Sequence, residues 1–334
     1  MDLEPPLAFE VGTYAVLALI IAADLLLAYR RPRAATVRGS ALGVGLYAGL
    51  ALAFAALLYA MSGAEYAAQF VTGWVAGYSL SIDNLVVFGI VMAVFAVPRQ
   101  IQQQVLVVGV VVALLLRGVL IGAGAVVVEQ FSAVFYLFGL FLLYTAVNQL
   151  LGSHDDEEES EHRVIAFLRR RIPVTGHFDG ARLRTVVDGR KVLTPVVIVV
   201  LALGTADIVF ALDSVPAVFG VTQSPFLVFT ANIFALMGLR WLYFLVGDLA
   251  GALVYLRYGV AAVLAFLGVK LVFHALRSND LPFVNGGENV GWAPEIGTVT
   301  SLLVIVAAMA VATIASVVPL RRRSRRSSKG PRHR

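Results

Sequence analysis

Apolar residues along the chain come in long runs separated by short polar stretches. A helix needs about 20 apolar residues to cross the hydrocarbon layer of a bilayer. Runs of that scale fall at about 12–29, 40–60, 72–97, 104–128, 131–151, 193–220, 225–247, 258–276 and 297–318. The pattern predicts an all-α membrane protein of about nine transmembrane helices.

Two of the runs are interrupted alike. "GYSLSIDNLVVFG" (77–89) sets Asp83 and Asn84 among apolar neighbours, and "ADIVFALDSVPAVFG" (206–220) does the same with Asp207 and Asp213. Spans three to five can be laid over spans six to eight. Asp83 then meets Asp213, Asn84 meets Ser214, Arg117 meets Arg240, and "LLYTAVNQL" meets "LAFLGVKLV". Three spans per unit is an odd number, so the second copy crosses the membrane in the opposite sense. Inverted repeats with polar interruptions at matching positions point to a secondary transporter with its site near the midplane. The chain divides accordingly into a two-helix region (1–62), repeat 1 (63–152), a loop (153–192), repeat 2 (193–277), an outer loop with the last span (278–320) and a basic tail (321–334).

Composition agrees with this division. The chain is 59% hydrophobic and 14% charged, with a mean hydropathy of +0.85, whereas soluble domains lie near about half apolar and a quarter charged. The N-terminal "MDLEPPLAFEVG" is acidic and lacks the basic stretch that opens a signal peptide, so the first span is expected to be retained. Basic residues sort to one side. Four follow span one, one follows span three, eight lie between 163 and 191, one follows span seven and eight close the chain, which makes 22 of the 26 Lys and Arg. That side is read as cytoplasmic, which gives an N-out, C-in topology. The net charge of +5 therefore reflects topology, and the tail "RRRSRRSSKGPRHR" is expected at anionic lipid and not on nucleic acid. Within the loop, "HDDEEESEH" is a solvated acidic run and "RVIAFLRRR" has the alternation of a surface-lying segment. "RLRTVVDGRKVLT" carries an Asp-Gly turn signal at Asp188-Gly189 and predicts a short hairpin.

An ionised side chain at the bilayer centre costs several kcal/mol and is kept where it faces a partner, a cavity or an ion. One reading pairs Asp83 and Asp213 with Arg117 and Arg240 in static salt bridges. Four membrane acids, counting Asp24 and Asp207, against three membrane cations favour a transported ion instead. Asp207 and Asp213 lie six residues apart, about 120° from a shared helix face. Pro216 lacks a backbone donor, so a helix broken there would offer free carbonyls beside Asp213 and Ser214. Carboxylates (Asp83, Asp213, Asp207), an amide (Asn84), a hydroxyl (Ser214) and main-chain carbonyls suit a hard divalent cation such as Mn²⁺, Ca²⁺ or Mg²⁺. The chain has no cysteine, so thiolate metal sites and redox motifs are excluded. The same acids could carry protons, and exchange of proton for metal gives an antiport scheme. Arg117 and Arg240 are assigned to hold the acids. Asn232 and Lys270 either line the path or bond a neighbouring helix. His274 and the three tryptophans are read as structural, as is the Gly73–Gly77 spacing.

"SLSIDNLVVFG", "TADIVFALDSVPAVF", "TANIFALMGLRWLYF" and "FLGVKL" together resemble the TerC/Alx family of integral membrane proteins, and the similarity runs from Asp24 to near Glu295. The resemblance implies a multi-pass protein of the bacterial inner membrane, with members linked to manganese efflux. Its membrane acids correspond to Asp24, Asp83, Asp207 and Asp213, accompanied by Asn84, Ser214, Asn232, Arg117, Arg240 and Lys270. Many members have a glutamate where this chain has Gly77, and another where it has Gly204; both departures weaken the transfer of a manganese site. The expected activity is export of a hard divalent cation coupled to protons as the counter-ion, with metal and protons as partners and no resident cofactor. The alternative is a membrane scaffold that assembles other membrane proteins through the cytoplasmic loop. Enzymatic function is not expected, since neither membrane aspartate sits in the GxGD setting of an intramembrane aspartyl protease.

Overall fold

The structure, a computed structural model, describes residues 5–30, 36–131, 133–151, 174–187, 189–246, 255–279, 281–282 and 284–327. Among them nine long helices follow one another: α1 (Leu7–Arg30), α2 (Val37–Ser62), α3 (Ala64–Val94), α4 (Arg99–Gln130), α5 (Val134–Leu151), α6 (Pro195–Phe219), α7 (Pro225–Val246), α8 (Leu256–Arg277) and α9 (Thr298–Ser327). Over the described residues eight of these helices are long and apolar enough to cross a membrane; α3 spans 31 residues, and the side chains of residues 82–84 and 86 within it lie outside the described residues. The chain is an all-α membrane protein.

Local chemistry sets the helix limits. The Thr36 hydroxyl caps α2 by accepting from the Gly39 amide at 3.1 Å. Gly63, at φ 92°, turns the chain from α2 into α3 within a single residue, a conformation that other residues resist. Pro195 and Pro225 open α6 and α7, where a missing N–H is harmless. The hairpin lies where its turn signal placed it: β1 (Arg184–Val187) pairs antiparallel with β2 (Arg190–Leu193), and Gly189 takes φ 77°. Asp188, the acidic run and the "RVIAFLRRR" segment lie outside the described residues.

Two expectations need correction. The third span begins at Ala64, well before residue 72, because Glu65 and Gln69 join it as a hydrogen-bonded i,i+4 pair at 3.2 Å. Nor does Pro216 break its helix. α6 continues to Phe219, and the Gly220 amide closes it onto the Pro216 carbonyl at 2.9 Å. Proline there falls in the last turn, and Val215, Ala217, Val218 and Phe219 around it are all buried. Packing on both sides holds the segment helical, and the only lost partner is the i+4 donor of the Leu212 carbonyl.

Helix packing reflects the internal repeat. α3 lies on α7, α4 lies on α6, and α5 lies on α8. The first helix of each half thus packs against the second helix of the other, and the two third helices pack together, as a two-fold relation between inverted units requires. α2 covers α3 and α7, α9 covers α8 and α3, and α1 reaches α4. Burial follows from this arrangement: 83% of the α7 span is buried against 11% for α1.

α5 and α8 come together backbone to backbone. A Cβ at Gly139 would sit 2.9 Å from the Gly268 carbonyl oxygen, and one at Gly268 would sit 2.9 Å from that of Gly139. Small residues permit this crossing, which apolar packing alone must hold within lipid. Gly139→Ala and Gly268→Ala should each destabilise the protein by about 1–3 kcal/mol. Gly45→Ala, where nothing lies within 4 Å, should be neutral. Thermal unfolding in detergent measures the difference.

Candidate functional site

The deepest polar cluster joins both repeats. Arg117 of α4 donates through Nη2 to Asp207 Oδ1 at 3.1 Å and through Nε to Oδ2 at 3.4 Å. Its Nη1 donates to the Asn232 amide oxygen of α7 at 3.3 Å, while the Asn232 amide nitrogen donates to the Val228 carbonyl at 2.8 Å. The Arg117 and Asp207 side chains are 2% and 1% exposed. A fork of guanidinium donors matched to a carboxylate suits such a site, since each charge neutralises the other where no water can. Asp207, expected as an open ligand, is thus held on both oxygens. Asn232 anchors the pair to α7.

A second pair stands apart. Arg240 Nη2 of α7 donates to Asp24 Oδ1 of α1 at 2.7 Å, with Asp24 23% exposed. Tyr47 of α2 lies at the same gap, and the Arg240 guanidinium lies 4.3 Å from the centre of the Trp241 ring. Asp24, Tyr47 and Arg240 border a gap of about 10 Å³ together with Val110, Leu114 and Met237. Among the described residues the arginines hold Asp207 and Asp24.

Asp213 is half-buried one face away from the fully buried Asp207, as their six-residue separation demands. Beside it the Ser214 hydroxyl is 2% exposed and has no hydrogen-bond partner among the described residues. Ser79 and Ser81 of α3 differ: each bonds the carbonyl four residues back, at 2.7 Å. The side chains of Asp83 and Asn84 lie outside the described residues, although their backbone is part of α3. Among the described residues no group of three or more acids or histidines is gathered as a metal site would need.

A larger polar chamber of about 1150 Å³ opens on the face opposite the Lys- and Arg-rich loops. Lys270 reaches its wall and donates to Ser301 Oγ at 3.0 Å. Glu65 accepts from Gln69 and Thr298, and the Thr222 hydroxyl donates to Gln69 at 2.6 Å. His274 bonds Gln223 at 2.7 Å and meets the Phe135 ring edge-on. Lys270 is therefore a lining residue that also ties α8 to α9. Glu65, Gln69 and Thr222 escaped the sequence reading because they fall at span ends, where polar residues are ordinary. Tyr47 escaped it because tyrosine in an apolar run looks like packing.

Removing one member of the central pair strands its partner in a dry interior. Asp207→Asn or Arg117→Gln should destabilise the protein by about 3–5 kcal/mol, whereas Arg117→Met with Asp207→Leu should lose much less. Thermal unfolding of the singles and the double checks this.

The chain matches the model of the integral membrane protein TerC family over residues 62–325. It is 39% identical to an uncharacterized membrane protein of Mycobacterium tuberculosis H37Rv over 308 residues, 91% of this chain and 77% of that one. It is 35% identical to the putative membrane-bound redox modulator Alx of Escherichia coli K12 over 270 residues, covering 78% and 84%. With the chloroplastic thylakoid membrane protein TERC of Arabidopsis thaliana it shares 40% identity over 229 residues, 69% of this chain and 60% of that one. No solved structure matches the chain. Family model and relatives, spanning both repeats, agree with the architecture: the chain belongs to the TerC family of integral membrane proteins.

Proposed function

We propose that the protein is a secondary transporter that exports a hard divalent cation, Mn²⁺-like or Ca²⁺, in exchange for protons across the bacterial inner membrane. The observation that carries the reading is the pairing of halves: helices of inverted order pack crosswise and bring charged groups of both into one lipid-embedded seam. Asp213 and the unpartnered Ser214 hydroxyl on α6, with Asp83 and Asn84 of α3 as their repeat mates, are the ligands assigned to the cation. Asp207 is neutralised by Arg117 in the present arrangement. A cation can use it only by displacing the guanidinium, so this pair acts as the gate between loaded and empty states. The chamber lined by Glu65 and Lys270 serves as the outer vestibule.

The name carried by the Escherichia coli relative speaks of redox modulation. Thiol exchange has no side chain to work with here, as the chain is free of cysteine. The scaffold reading is separated from transport by Asp83→Asn, which a scaffold tolerates.

Asp213→Asn and Asp83→Asn should each reduce ⁵⁴Mn²⁺ or Ca²⁺ uptake by inside-out vesicles to the level of vesicles lacking the protein, with the variants present at wild-type amounts. Undiminished uptake in both variants would contradict the proposal.

A further inference from the structure

The two ends of the seam are built differently. The polar chamber opens at one end of α6, where Gly220 lines it. At the other end of this 25-residue helix, about 37 Å away, the seam is filled. Phe88 and Met92 of α3, Leu106 of α4, Val199 and Leu203 of α6 and Leu236 of α7 belong to one apolar cluster there, none more than 2% exposed. On α6 the cluster occupies the stretch between Asp207 and the face that carries the hairpin. A packed apolar constriction of this kind holds no water and stops an ion. Val174 and Phe178, which precede the hairpin, pack half-buried against the same cluster. Their segment is tied to the start of α6. Val174 bridges Leu193, the Thr175 amide donates to the Leu193 carbonyl at 2.9 Å, and the Thr194 amide donates to the Leu183 carbonyl at 3.0 Å. Within the segment the Thr185 hydroxyl donates to Asp179 Oδ2 at 2.8 Å.

We propose that residues 174–187 and 189–194 form a lid on the hairpin face of the seam, carried by α6 and seated on the apolar cluster through Val174 and Phe178. The inference rests on the transport reading only in that it makes the seam an ion's path; the seal itself is a matter of packing. A two-stranded hairpin is barely stable alone, so this one is ordered by what it is attached to and what it sits on. The attachment is Thr194, the residue before the first residue of α6. The seat is two half-buried side chains on a layer of fully buried ones, so the lid can lift at far lower cost than the helices beneath it can part. α6 also carries Asp207, Asp213 and Ser214. A shift of that helix therefore moves the lid and these side chains together. In the present arrangement the seam is open on the chamber face and shut on the hairpin face.

A single thiol beneath the lid tests this. The natural chain has no cysteine, so Val199→Cys in the full chain gives one reporter, in vesicles with the hairpin face outward. A membrane-impermeant maleimide should label it slowly. Phe178→Ala should raise the labelling rate about fivefold or more, and Phe178→Leu, which keeps an apolar seat, by less than about twofold. A second reporter, Val228→Cys, lies equally buried in the core on the chamber side. Its rate should not change in Phe178→Ala, which separates a lifted lid from a loosened bundle. Equal rates with Phe and Ala at position 178 overturn the proposal, as does rapid labelling of Val199→Cys with Phe178 in place, or a matching rise at Val228→Cys. Where Phe178→Ala does not accumulate, Val174→Ala takes its place under the same expectations. Mn²⁺ flux in the same vesicles separates the two readings. A lid that responds as expected in a protein that moves no ion counts against transport and leaves the lid standing. Flux with an unresponsive thiol at position 199 does the reverse.

Discussion

A charge cannot be left alone in hydrocarbon, and most of what is distinctive in this molecule follows from how Arg117 and Asp207 meet that constraint. Their forked contact, almost wholly buried, requires α4 of the first repeat and α6 of the second to stay side by side. The Asn232 bridge adds α7 to the same arrangement. Apolar side chains gain little by exchanging lipid for one another. A matched ion pair and close glycine crossings such as Gly139–Gly268 therefore specify which helices adjoin, where burial alone would be indifferent.

The inverted repeat converts this local demand into architecture. Each half places its first helix against the second helix of the other, α3 on α7 and α6 on α4. α1, outside the repeats, joins the bundle through the Asp24–Arg240 pair. The seam between the halves, with half-buried Asp213 and the unbonded Ser214 beside neutralised charges, is also suited to change its pairing when an ion arrives.

Much of this was legible in the chain. Helix number, order and most limits could be read from run length alone, because a bilayer sets one length for every span. The hairpin was legible from Asp-Gly. What could not be read was partnership. Arg117 and Arg240 were evident as membrane cations, but nothing in one dimension tells whether Arg240 meets an acid of its own repeat or one 216 residues away. Pro216 misled for a related reason: a local rule predicts a break, and tertiary packing around the last turn of α6 prevents it. Glu65 was hidden by position, since a span end makes a carboxylate unremarkable until α9 closes over it through Thr298.

The central claim, that the seam between the halves opens to each side of the membrane in turn around a bound cation, can be measured through a single introduced thiol. The natural chain contains no cysteine, so Ser214→Cys carries the only one. In sealed vesicles of either orientation, a membrane-impermeant maleimide should label this position from both sides, and Mn²⁺ should protect it. Labelling from one side only, or from neither, with no effect of the cation, would contradict the account.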